Sequence, residues 1–303
     1  MDKHLIFYAM FIPSLLFFLW GMGIHLNLYL RGTIKGAPHA TPRQKIKILL
    51  LQGWKGFWAR PWFFVRTFIN DVLFHRKLLS QSFYRWLTHS LLVFGFVATF
   101  IVDMIKGLTT GYLVELSQPL PFFSFAHAFE TGAVRPFLDF SLEFFSFLIL
   151  VGCVMAIVRR FVLRPSQLRN EEEDIVTLFF ILFLEVTGFF IEGYRIAHPE
   201  VTSSQTYLAN FTPASANNWV SFGGYFLSLF LRDVRINADF LWYFHVVPSL
   251  LWFIYIPHSK LLHIFTSSVT VIADRAKQTK LATLRLSAQE EVREELERPL
   301  PSP

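Results

Sequence analysis

Five blocks of about 20 mostly apolar residues constrain this chain more than any other feature, at about 5–29, 86–107, 137–158, 175–195 and 238–258. An α-helix of that length rises about 30 Å, the thickness of a bilayer's hydrocarbon core. Only helices and closed barrels satisfy every backbone N–H and C=O in lipid. The expected fold is therefore an all-α membrane protein of five transmembrane helices. A soluble protein could bury much of a composition that is 53% hydrophobic, with 36 Phe and 8 Trp, but it would not collect it into such blocks. A shorter apolar segment, 219–231, reads as an interfacial helix. The first block is too long for a signal peptide, has only Lys3 ahead of it, and lacks a small-residue cleavage site.

Lys and Arg orient the spans. Residues 31–85 hold many of them against a single acid, Asp71; the connection after the third block carries Arg159, Arg160, Arg164 and Arg169; the tail beyond 259 holds seven more. The segments around 108–136 and 196–237 are poor in Lys and Arg. By the positive-inside rule the N-terminus lies outside, and 31–85, 159–174 and the C-terminus lie in the cytoplasm. The net charge of +6 is thus a topology signal, and no nucleic-acid partner is expected. Residues 1–270 are expected to form one membrane domain and 271–303 a charged cytoplasmic tail. The 31–85 segment interleaves Trp54, Trp58 and Trp62 with Lys45, Lys55 and Arg60. That pattern suits amphipathic helices lying on the bilayer surface, able also to seat a soluble subunit.

Cys153 is the only cysteine. A disulfide framework, a cysteine-held iron–sulfur cluster within this chain and covalent c-type haem attachment are thereby excluded. Cys153 itself reads as a small buried apolar residue.

The last apolar stretch, FLWYFHVVPSLLWFIYIPHSKLLHIF, places His245 and His263 18 residues apart. On one continuous helix that is five turns, with both imidazoles on one face about 27 Å apart. Two haems, one toward each membrane surface, are the simplest use of that spacing. His258 points about 140° away from this face. His89, in RWLTHSLLVFGF of the second block, is matched in depth to His263 on the cytoplasmic side. Bis-histidine ligation of one haem b between His89 and His263 follows as an expectation. His245 has no such partner, because the position ten after His89 is Thr99. His127 is the first candidate, lying in a mostly apolar outer segment; His198 and His4 follow. His25, His39 and His75 fall on the cytoplasmic side. An isolated buried histidine is ordinarily a hydrogen-bonded packing residue; the depth match and the spacing favour haem iron for His89, His263 and His245. A haem-free anchor or transporter is the alternative from another class.

Glu143, Glu185 and Glu192 lie within or at the ends of the third and fourth blocks, where carboxylates are costly and tend to be functional. Quinol oxidation needs a proton acceptor, and Glu192 with Arg195 near the outer surface suits a quinone site. A Glu–Arg pair that simply ties the span to a loop is the competing structural role.

RWLTHSLLVFGF, TGFFIEGYRIA at 187–197 and IPHSKLLH at 256–263 resemble the membrane cytochrome b family of nitrate reductase gamma subunits. They are closer to the branch that holds the heterodisulfide reductase E subunits and the sulfite-reductase-associated membrane cytochromes. The resemblance covers about 70–270. In that family two histidines ten apart pair with two 18 apart; His89, His245 and His263 match three of these positions, and Thr99 departs from the fourth. The resemblance implies quinone or menaquinone as membrane substrate and a cytoplasmic iron–sulfur subunit as partner. The chain is then one component of a quinone-linked oxidoreductase in the cytoplasmic (inner) membrane, using one or two haems b.

Overall fold

A computed structural model describes residues 3–33, 37–113, 117, 120–130, 134–165, 171–200, 220–275 and 277. The tail beyond 277 and most of the polar 199–218 segment lie outside the described residues. Five helices are long and apolar enough to cross a membrane, over Ile6–Leu30, Phe83–Thr109, Val134–Leu163, Glu172–Ala197 and Ala238–His258. These match the five blocks, and the chain is a multi-pass membrane protein. In chain order the helices are α1 (Lys3–Leu30), α2 (Pro42–Ala59), α3 (Pro61–Thr67), α4 (Phe83–Lys106), α5 (Val134–Ile157), α6 (Glu172–Ala197), α7 (Phe222–Leu231) and α8 (Ala238–Tyr255). Two compact units divide them: residues 1–14 with 78–253, and residues 15–77 with 254–303.

In the first unit, α4 and α5 pack through glycine. A Cβ on Gly95 would stand 2.5 Å from Ile149 Cγ1 and 2.9 Å from the Phe145 carbonyl oxygen. The backbones therefore meet at the closest approach that small residues permit, as is common between membrane helices. Tyr84 donates a 2.8 Å hydrogen bond to the Met155 carbonyl and fixes the register of the pair. By contrast, α6 and α8 meet through large side chains. Phe180 stacks on Trp252 at 5.1 Å, and Phe183 meets Phe244 edge-on at 5.4 Å. Tyr194 Oη donates to the Ile236 carbonyl at 2.7 Å and accepts from the Ile236 N–H, pinning the end of α6 to the approach to α8.

Replacing Gly95 with leucine is expected to destabilise the α4–α5 pair by about 1–3 kcal/mol, the usual penalty of overpacking. Gly107→Leu is the control, since nothing lies within 4 Å of a Cβ there. Thermal unfolding in detergent, compared between the two variants, checks this.

In the second unit, α2 opens with a capping box: Thr41 accepts from the Gln44 N–H while the Gln44 side chain accepts from the Thr41 N–H. Lys45 is buried and donates at 2.8 Å to the carbonyl of Leu30, the last residue of α1. A cation on the unsatisfied C-terminal carbonyls of a helix is favourable, so a basic residue of the surface segment closes the first span. Trp54, Trp58 and Trp62 are exposed along α2 and α3. Arg275, in the helical run 263–275, grips Asp71 with both ends of its fork, at 2.9 and 3.0 Å.

The helix expected to carry both His245 and His263 is not continuous. It ends at Tyr255 and is followed by two 3₁₀ turns, Ile256–His258 and Lys260–Leu262, separated by an extended Ser259. Pro257 is the cause: it has no N–H to give to the preceding turn and restricts Ile256 before it. Ser259 then accepts from the Leu261 N–H and restarts the chain. Eighteen residues of unbroken helical phase are therefore the wrong ruler for these two histidines.

Candidate functional site

Polar groups of the first unit collect along α6 and the faces opposite it. His245 projects from α8 to α6, where its Nδ1 lies 2.8 Å from Thr187 Oγ1. The same hydroxyl lies 2.9 Å from the Phe183 carbonyl and 3.0 Å from that of Leu184. Its one proton goes to these backbone acceptors, so it accepts from the Nδ1–H of His245. That leaves the lone pair of His245 on Nε2. Gly188 lies beside the ring, where a Cβ would stand 3.6 Å from Cε1 in ordinary van der Waals contact. Fixing one imidazole nitrogen as donor so that the other can bind a metal is the usual arrangement of ligating histidines. Sequence alone does not single out Thr187, although it opens the TGFFIEGYRIA motif.

His263, in the second unit, shows the same polarity. Its Nδ1 is 2.6 Å from the Lys260 carbonyl, so Nδ1 donates and Nε2 carries the lone pair. His89 sits on α4, one residue after buried Thr88. Thr99 Oγ1, further along the same helix, is buried with no hydrogen-bond partner among the described residues. His127 lies in the turn before α5, exposed, with Nε2 3.0 Å from Ser117 Oγ. His198 is 1% exposed and uses both nitrogens: Nε2 faces the Leu231 carbonyl at 3.0 Å, and Nδ1 faces Arg235 at 2.9 Å and Glu200 at 3.1 Å. It clasps α6 to the end of α7 and has no nitrogen left for iron. Glu200, exposed to solvent, is held below the ordinary carboxylate range by its own backbone N–H and then by Arg235. Among the described residues no three of His, Cys, Asp and Glu come together as an ion site. A haem would need single histidines and no such cluster: His245 and His263, each with Nδ1 engaged and the lone pair on Nε2, are in the tautomer that would hold its iron.

The carboxylates form a second group. Glu143 is buried on α5, and its Oε1 accepts from the N–H groups of Gly223 at 2.5 Å and Gly224 at 2.9 Å, the first turn of α7. Glu192 of α6 reaches the same place, within electrostatic reach of Glu143. The contact needs glycine, because a Cβ on Gly224 would meet Glu192 Cγ at 2.5 Å. The short apolar helix, read from sequence as interfacial, thus aims its N-terminus at a buried carboxyl and packs its length on α6. Arg195, one turn beyond Glu192, is within electrostatic reach of Glu192, Asp139 and Arg135. Asp139 is paired with Lys106 at 2.5 Å and Arg135 at 2.8 Å. Deeper along α6, Glu185 comes close to Ser146 of α5. Glu192 and Arg195, singled out from sequence, therefore belong to a larger set in which Glu143, Gly223 and Gly224 take part.

Comparison with known proteins gives relatives but no family model that matches, and no solved structure matches. The chain is 24% identical over 208 residues to the E subunit of the dihydromethanophenazine:CoB–CoM heterodisulfide reductase of Methanosarcina barkeri, covering 68% of this chain and 65% of that protein. It is 26% identical over 209 residues to the corresponding protein of Methanosarcina thermophila, again covering 68% of this chain and 65% of that protein. It is 30% identical over 130 residues to an EtfAB:quinone oxidoreductase of Syntrophomonas wolfei, covering 42% of this chain and 18% of that protein. The match thus spans just under two thirds of the length of the two Methanosarcina proteins. A membrane subunit related to those of redox complexes accounts for the five spans and for the motifs, and the chain is a homologue of the heterodisulfide reductase E subunits.

Proposed function

We propose that this chain is the b-type cytochrome subunit of a membrane complex that passes electrons between a quinone or menaquinone pool and a cytoplasmic iron–sulfur subunit. The observation that carries the proposal is His245, whose Nδ1–H is taken up by Thr187, which leaves the lone pair on Nε2 within a membrane bundle. Haem b, when bound, supplies a one-electron carrier. His89 and His263 are the proposed ligands of the haem nearer the cytoplasm, on the depth read from sequence. His245 is the proposed ligand of the second, with His127 as its candidate partner. The N-terminus is proposed outside and the C-terminus in the cytoplasm, on the distribution of Lys and Arg.

Glu192 and Arg195 are proposed to receive the quinol. Arg195 orients its oxygen, and the carboxyl pair that Glu192 makes with Glu143 takes its proton. A relative named as a quinone oxidoreductase supports this substrate class. The iron–sulfur partner follows from the resemblance.

Anaerobic mixing of the purified oxidised protein with a soluble menaquinol analogue tests the proposal. Reduction of its haem within the mixing experiment is the expected result. A haem that dithionite reduces but the quinol does not would overturn the assignment of substrate.

A further inference from the structure

The surface segment of the second unit holds a groove that the proposed electron path does not use. It is open, encloses about 560 Å³, and lies where residues 37–40 meet the first turns of α2. His39, Gln44 and Lys47 are its polar lining, and Ile48 and Leu51 continue it as apolar wall. The polar groups offer donors. Lys47 carries an ammonium and no acceptor, and His39 carries a ring N–H. The Gln44 amide oxygen is already taken by the Thr41 N–H, which leaves its NH₂ to give. No Asp or Glu lines the groove. Between Arg31 and Asn70 the sequence has eight Lys and Arg and no acid at all, so an anion entering here meets no charge of its own sign from this segment.

Gln44, Lys47, Leu51, Trp54 and Trp58 follow one another at i, i+3, i+7, i+10 and i+14, which is one face of α2. Leu51, Trp54 and Trp58 are exposed, and the two indoles meet edge-on at 5.5 Å. The face therefore begins in hydrogen-bond donors and runs into uncovered apolar surface. A phospholipid has the matching polarity, with an anionic phosphodiester at one end and hydrocarbon at the other. Depth agrees with this. Lys45 points away from the face and donates at 2.8 Å to the carbonyl of Leu30, where the span Ile6–Leu30 ends. The start of α2 is thus fastened at the level where hydrocarbon gives way to headgroups, a level at which tryptophan is favoured.

We propose that this groove binds one anionic phospholipid. Lys47, Gln44 and His39 hold its phosphate, and an acyl chain lies along Ile48 and Leu51 toward Trp54 and Trp58. Basic residues at a membrane surface select anionic headgroups by charge, and hydrogen bonds from charged donors make that selection local. An acidic soluble protein would meet the same charges, but a groove level with the end of a span has lipid headgroups already beside it. The site needs neither haem nor quinone.

Native mass spectrometry of the full chain purified in detergent tests it, with dioleoyl phosphatidylglycerol or dioleoyl phosphatidylcholine added at equal concentration. Retention of one phosphatidylglycerol per chain, in preference to phosphatidylcholine, is the expected result. Lys47→Gln is expected to weaken that retention about fivefold, the contribution of one basic residue at an anionic surface, while Lys47→Arg keeps it. Lys47 is exposed, so these variants do not put the fold at risk. Leu51→Asn lowers retention as well, and glycerol phosphate, a headgroup without chains, does not displace the lipid. Arg66→Gln removes the same charge from α3, outside the groove, and leaves retention as in the wild type. Equal retention of the two lipids overturns the site. So does an equal loss in Arg66→Gln and Lys47→Gln, which would make the surface a diffuse field of charge. A chain that takes up polyglutamate and shows no choice between the lipids would make this face a protein-docking surface and overturns it too.

Discussion

Alanine at His245 is expected to remove one haem b from the purified protein and leave the other, which His89 and His263 are proposed to hold. Axial imidazole is the main bond that fixes a non-covalent haem, and nothing else on α8 replaces the Nε2 that the substitution deletes. His89→Ala is expected to remove the other haem and, with it, electron delivery to the soluble partner. Thr187→Val separates ligation from orientation. It keeps the shape of the side chain and deletes the acceptor for Nδ1–H. Changes to a group that orients a ligating histidine typically weaken metal affinity 10–100-fold, so the haem should remain but dissociate more readily. His127→Ala is compared in the same series. If two haems survive both His245→Ala and His127→Ala, the ligand assignment at that end is wrong.

Glu192→Gln is expected to leave the haem spectrum unchanged and to slow quinol oxidation by about 10²–10⁴-fold, the range for a positioned acid–base group. Glutamine keeps the size of the side chain but cannot take a proton. Arg195→Gln, by contrast, should act mainly on quinol binding, raising KM. Stopped-flow reduction of the haem by quinol across a concentration series separates the two effects. A Glu192→Gln protein with wild-type reduction kinetics would remove this residue from the quinol site.

The spans are legible in the sequence because a bilayer imposes length and apolarity together. Phe83–Thr109 and Ala238–His258 can be bounded from composition alone. The carboxylates are legible singly, since any Glu at membrane depth stands out. Their connection is not. The seat of Glu143 depends on α7 bringing Gly223 and Gly224 to it, and a ten-residue apolar helix does not announce where its N-terminus points. Thr187 is hidden for a related reason: a threonine in a membrane helix ordinarily bonds its own backbone, which Thr187 also does. The break after Tyr255 is signalled by Pro257, but the 18-residue count assumes a continuous helix across it. Lys45 reads as one more surface charge, and only the fold reveals that it closes α1.

The central claim is that histidines of this bundle hold haem b. The reduced-minus-oxidised optical spectrum of the purified chain, with haem counted per protein by pyridine extraction, tests it most directly. A b-type α band from two haems per chain, with one lost in His245→Ala, is the predicted result. A folded chain with no α band would contradict the account.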